Sequence, residues 1–267
     1  MRVFENLGKK KVVIGLVHLR PMPGTPFYQE GDFERSLEKA LRDTTALYRG
    51  GADGCLIQTV DKVYPARDEA DYTRVAAMAA IVHAVAQNTG PEFQIGVQIM
   101  WNALTASLAI AKVCDGSFIR CTALVGSTYS SFGLVEANPY EVMKFRNSIG
   151  AQHIKMVAEI EGMHYHDVSG KSVADLARAA MTVGASAVEI AHPDEATSLR
   201  MIREVKAANP GVPVILGGYT NHENAARRLA EADGAFVGTC LEADKWGSDI
   251  DPDKVCAYVE IVRGLEK

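Results

Sequence analysis

Eight strand-like runs, each followed by a run of helical periodicity, constrain this chain more than any other feature. The strand-like runs cover residues 12–19, 52–60, 93–101, 117–121, 153–160, 186–192, 212–218 and 235–240. Strict βα alternation calls for a parallel sheet with helices outside it. Eight such units in about 250 residues match a closed (β/α)₈, or TIM, barrel. A barrel of this size is a standing exception to the usual ratio of domains to length, so residues 1–267 read as one domain. In such a barrel, chemistry gathers where strands end and loops begin.

Apolar spacing gives the helices. Phe33, Leu37, Ala40, Leu41, Thr44 and Leu47 form one stripe over 32–49, which Gly50-Gly51 ends. Further helices are expected over 71–88, 103–113, from about 139, and over 172–183, 194–208, 221–232 and 251–264. The last opens with Asp251 as N-cap and Pro252 in the first turn. Two loops stand out. Residues 122–138 show no helical spacing, and a loop this long is expected to be a lid or binding loop. Residues 20–31, stiffened by Pro21, Pro23 and Pro26, cross the same face.

Composition narrows the partners. The chain is 48% hydrophobic and 23% charged, as in an ordinary globular protein. A net charge of −5, with the one basic cluster, Lys9-Lys10-Lys11, read as a solvated lead-in to the first strand rather than a binding arm, argues against nucleic acid and anionic membranes. No apolar run reaches the roughly 18 residues of a membrane span. The first residues lack the apolar stretch of a signal peptide. The five cysteines have neither disulfide nor metal spacing, so reduced thiols in the cytoplasm are expected. The alanine-rich second helix suits close packing, including between subunits of a homo-oligomer.

Strand alternation selects the inward side chains. In 94–102, Ile95, Val97, Ile99 and Trp101 should face the helices, with Gln98 and Asn102 pointing inward or over the mouth. In 155–161, Lys155 enters low and Glu159 near the top. Glu189 sits in an apolar strand and must be paired or protonated. His192, at that strand's end, is placed for acid/base work, with loop capping as the alternative. Arg120 supplies a fixed cation for a carboxylate or phosphate. Gly217, Gly218, Gly238 and Thr239 close the last two strands, where many barrels bind phosphate through backbone N–H groups. His164 and His166, two apart, would share one side of an extended loop, as metal ligands do. No metal or cofactor is expected.

The run GLVHLRPMPGTP (15–26) resembles the opening signature of the BtpA family, which includes SgcQ-type proteins. The resemblance extends through ALRDTTALYRGGADG (40–54), FIR (118–120), Glu223-Asn224, ADGAFVGT (232–239) and DPDKV (251–255). It implies a (β/α)₈ fold and gives His18 and Asp61 a place in the site. One family member is implicated in photosystem I biogenesis, and a bacterial relative sits among sugar-metabolism genes. Several polar positions differ from the family pattern, including Gln58-Thr59-Val60, Met100-Trp101 and Glu159. These changes point to a different substrate or to lost activity.

The expected function is acid/base chemistry on a small phosphorylated metabolite, such as a sugar phosphate, by an isomerase, epimerase or lyase. Glu159, Glu189, His192 and Asp61 are the expected catalytic set. His18, Asn102, Arg120 and His164 would bind substrate, and Gly217, Gly218, Gly238 and Thr239 its phosphate. The alternatives are a non-catalytic assembly or regulatory factor on the same scaffold and a metal-dependent hydrolase using His164 and His166.

Overall fold

A computed structural model describes residues 1–266. Strands β1 (Val12–His18), β2 (Gly54–Gln58), β3 (Gln94–Gln98) and β4 (Phe118–Cys121) alternate with helices α1 (Asp32–Arg49), α2 (Tyr72–Gln87) and α3 (Leu104–Val113). A hairpin, β5 (Ser127–Ser130) and β6 (Gly133–Glu136), then precedes α4 (Pro139–Ser148). The second half runs β7 (Lys155–Glu161), α5 (Val173–Thr182), β8 (Ala187–Ile190), α6 (Glu195–Ala208), β9 (Val214–Leu216), α7 (Ala225–Arg228), β10 (Gly234–Val237) and α8 (Pro252–Gly264). The strands close in the order β1-β10-β9-β8-β7-β4-β3-β2, a complete parallel barrel. Among the described residues no helix is long and apolar enough to cross a membrane.

Side-chain alternation divides the core in two. Ile95, Val97, Ile119, Met156 and Val188 join the large outer cluster shared with the helices. Ile14, Leu56, Phe118, Val157, Ala187, Ile215 and Phe236 form the inner cluster. Further along the strands, two residues on in most and four beyond Ile14 in β1, the same parity delivers a ring of polar residues and glycines: His18, Gln58, Gln98, Arg120, Glu159, Glu189, Gly217 and Gly238. The barrel is therefore apolar below and polar at the C-terminal mouth.

Two sequence expectations change. Residues 122–138 are not an open loop, because β5 and β6 pair antiparallel across Thr128–Val135 and Tyr129–Leu134. Helix α7 is a single turn rather than 221–232, because Asn221 spends the start of that stretch on a tight turn. Its Oδ1 accepts the N–H groups of Glu223 and Asn224 at 2.9 and 3.1 Å.

The opposite end of the barrel is sealed by the segment before β1. Phe4 is buried in the inner cluster, its ring 5.4 Å from that of Phe118. Arg2 fastens this plug by donating to the carbonyls of Phe93 and Ala86, both at 3.0 Å, and of Thr89 at 2.8 Å. Phe4→Ala is expected to destabilise the barrel by about 3 kcal/mol, read from urea unfolding. A loss below 1 kcal/mol would show that the plug does not support the core.

Candidate functional site

Arg120 stands at the centre of the mouth. Its Nε donates to Glu189 Oε2 at 2.6 Å, and its Nη2 donates to Glu189 Oε1 and lies 3.6 Å from Glu159 Oε2. The guanidinium rests over the Phe236 ring, 5.4 Å from its centroid. Burial works against the charge, but Glu189 and Glu159 outweigh it and keep Arg120 charged. Both carboxylates are 0% exposed. Burial, reinforced by the charge on Glu159, raises the Glu189 pKa to about 7 despite Arg120. Glu159 also feels burial, but Arg120 and His164 overcome it and leave its pKa below the usual range. Two buried carboxyls on one guanidinium are thus shifted in opposite directions, burial winning at Glu189 and Arg120 with His164 winning at Glu159.

Two glycines make room for these carboxylates. A Cβ on Gly217 would lie 1.9 Å from Glu189 Oε1, and one on Gly162 would lie 2.4 Å from Glu159 Oε1. Gly217 thus does packing work besides shaping its loop. Gly218 is different, with φ at +140°, and the next residue, Tyr219, takes a positive φ of 56°. Two left-handed residues in succession turn the β9–α7 loop back over the mouth.

Above Arg120 opens a cavity of about 850 Å³. His18, Arg120, His164, Gly217, Gly218, Gly238 and Thr239 all line it. The glycines of the last two strands therefore meet at one basin. Among the described residues, none of the loop hydrogen bonds uses the N–H of Gly218 or Thr239.

Other expected site residues are placed elsewhere. Glu159 and Glu189 lie beneath the floor and do not line the cavity. Asp61 is fully buried, pairs with Arg74 at 2.5 Å and accepts the Met22 N–H at 2.8 Å. It braces the loop after β1, as an unpartnered carboxylate at that depth would be too costly. Asn102 is a loop clamp, accepting Ala123 N–H at 2.9 Å and donating to Ala123 O at 3.3 Å. His192 does not line the cavity. Its Nδ1 accepts the Asp194 N–H at 3.1 Å, which makes it the capping histidine of the alternative reading. His164 and His166 do not share a side. His164 turns inward, with Nδ1 3.4 Å from Glu159 Oε2, whereas His166 pairs with Glu161 and is 71% exposed. Among the described residues, no group of three or more His, Cys, Asp or Glu is arranged to hold a metal ion.

Sequence reasoning missed several lining residues. Trp101 was expected to face the helices, yet it lines the cavity, packed edge-on to His164 at 5.0 Å. Strand β3 ends at Gln98, so alternation no longer governs Trp101. Arg228, in the turn of α7, reaches the cavity while donating to the carbonyls of His192 and Pro193 at 2.9 and 2.5 Å. Gln58 and Trp246 also line it. Gln58 shares the inward parity of His18, a signal available from the strands alone. Trp246, in the loop before α8, carries no such pattern.

The fold and mouth define a (β/α)₈ barrel whose polar C-terminal ring encloses a small-molecule-sized cavity. The chain belongs to the BtpA family, whose model matches residues 9–264. It is 27% identical to the photosystem I biogenesis protein BtpA of Synechocystis, covering 100% of this chain and 93% of that one. It is 26% identical to the putative sgc region protein SgcQ of Escherichia coli, covering 98% of each. Among solved structures it superposes on the (S)-3-O-geranylgeranylglyceryl phosphate synthase of Thermoplasma acidophilum in complex with sn-glycerol-1-phosphate. That match has a TM-score of 0.61 and 18% identity over 99% of each chain, and it shows the shared fold.

The carboxyl shifts have a measurable consequence. An ordinary glutamate titrates near 4.3, and Glu189 in the folded state near 7. Between those values the native state holds a proton that the unfolded chain releases, so this group's contribution to stability falls as pH rises. Glu189→Gln mimics the protonated acid. From about pH 4.5 to 7, its unfolding free energy should gain at least ~1 kcal/mol on that of wild type. A constant difference would mean that Glu189 stays ionised throughout.

The glycines make a second test. Gly217→Ala must displace Glu189 from Arg120 and is expected to cost about 3 kcal/mol. A Cβ on Gly238 meets Leu16 only at 3.3 Å, so Gly238→Ala should cost less than about 1 kcal/mol. Equal losses in denaturant unfolding would contradict the packing role of Gly217.

Proposed function

We propose that this barrel binds a small phosphorylated metabolite at its C-terminal mouth and moves protons on it, as an isomerase, epimerase or lyase does. The observation that carries the reading is the charge of the cavity wall. In a chain of net charge −5, no aspartate, glutamate or lysine among the described residues lines the cavity, while Arg120, Arg228, His18 and His164 do. A wall of that sign inside an acidic protein suits an anion. The N–H groups of Gly218 and Thr239, at the ends of the last two strands and unused by any loop hydrogen bond among the described residues, suit its phosphate.

Two histidines supply the proton transfer. His18 holds Nδ1 3.6 Å from Glu242 Oε1, and His164 holds Nδ1 3.4 Å from Glu159 Oε2. Each imidazole thus has a buried carboxylate beside it to balance its protonated form, although neither Nδ1 has a hydrogen-bond partner among the described residues. One histidine removes a proton from carbon beside a carbonyl, and the other delivers one to the opposite face or to the carbonyl oxygen. Glu159 and Glu189 act from below the floor as positioning groups for His164 and Arg120. With no lysine among the described residues on the wall, a Schiff-base route has no amine there to start from.

A thermal-shift screen against sugar phosphates tests the reading. A true ligand at a hundredfold excess over Kd contributes about 2.7 kcal/mol, and Arg228→Gln should weaken that ligand at least tenfold. Absence of stabilisation by any phosphorylated compound would leave the non-catalytic assembly factor as the better reading.

A further inference from the structure

The cavity wall that runs from the far part of the loop after β10 round to the end of β3 has a different chemistry. Both tryptophans of the chain, Trp101 and Trp246, line it. Trp246 is 57% exposed, an unusual way to spend so large an apolar surface, and one face of it lies against His18 at 5.6 Å. Trp101 is fixed by Tyr64 at 5.5 Å and by Phe132, from the tip of the hairpin, at 5.4 Å. The same wall holds four buried polar atoms with no hydrogen-bond partner among the described residues: Gln58 Oε1, Trp101 Nε1, His18 Nδ1 and His164 Nδ1. Gln58 is only 6% exposed, so its unpaired oxygen is a real cost unless a ligand meets it. A wall that offers aromatic surface, one acceptor and one donor is complementary to a flat ring that carries both a donor and an acceptor.

We propose that the ligand is bipartite: a phosphate held at the loops after β9 and β10, and a planar, hydrogen-bonding ring held at the wall of Trp101, Trp246 and Gln58. The inference rests on the reading of the cavity as a phosphate site and adds the chemistry of the other end. On binding, Gln58 and Trp101 turn their buried, unpartnered Oε1 and Nε1 to the ring as acceptor and donor, and Trp246 covers it from the rim. A cavity of about 850 Å³ has space for both parts.

The test is a comparison of dissociation constants by calorimetry on the full chain. Phenyl phosphate, pyridoxine 5′-phosphate, CMP and AMP are the ring-bearing probes, and ribose 5-phosphate and inorganic phosphate are the ringless ones. At least one ring-bearing probe should bind tenfold or more tightly than ribose 5-phosphate, with quenching of tryptophan emission. Trp246→Ala, at an exposed position, should remove most of that advantage while weakening ribose 5-phosphate much less than the ring-bearing probe; Trp101→Ala should do the same. If ribose 5-phosphate binds but no ring-bearing probe exceeds it, the ring site is overturned and the phosphate site stands. If none of the six binds, both readings fall together. The wild-type comparison needs no variant to fold.

Discussion

Everything at the mouth of this barrel depends on one guanidinium shared between two buried carboxylates. Arg120 cannot be desolvated alone, and neither can Glu159 or Glu189. Each makes the others tolerable, and Gly162 and Gly217 leave the space in which they meet. The arrangement also sorts charge by depth. The acids sit under the floor, so the cavity receives the positive side of the set. The same carboxylate layer holds His164 through Glu159, whose Oε1 accepts the His164 backbone N–H at 3.0 Å. A charge network below the site thereby sets the electrostatics of the surface above it.

Around this centre the rim is braced loop to loop. Asp61 and Arg74 tie the loop after β1 to the one after β2, and Arg74 continues to Thr59 Oγ1 at 3.1 Å and to the Met100 carbonyl. Asn102 joins the loops after β3 and β4. The Tyr165 hydroxyl donates to Val125 O at 2.9 Å, and the His166 N–H donates to Thr128 Oγ1 at 3.0 Å, so the β7–α5 loop is tied to the hairpin. Arg228 joins the loop after β8 to α7. Polar residues that resemble catalytic groups in the sequence are, in several cases, the pegs of this rim.

That distinction explains how far the sequence could be read. Strand and helix periods, with glycine joints such as Gly50-Gly51, are local signals, and the barrel follows from their count. The glycines after β9 and β10 and Arg120 are legible from their places at strand ends, and His18 from the family resemblance. The hairpin was hidden because Ser127–Ser130 and Gly133–Glu136 are short, polar and mostly exposed, with little apolar alternation to announce them. Asp61, Asn102 and His192 looked chemical because a polar side chain at a strand end is ambiguous between ligand and brace. Only their partners decide, and Arg74, Ala123 and Asp194 are not visible as partners in one dimension. Trp246 and Arg228 escaped for the converse reason: they reach the cavity from segments beyond the strands, where no period assigns a direction.

The plug made by Phe4 and Arg2 fixes the traffic of the molecule. With the lower end stoppered, the barrel is a blind vessel rather than a conduit. Whatever goes in at the rim must leave by the same door, past Trp246 and the hairpin tip at Phe132. Passage of a compound through the axis to a second protein docked below is closed to this architecture, and exchange of occupants is a matter for the rim loops alone.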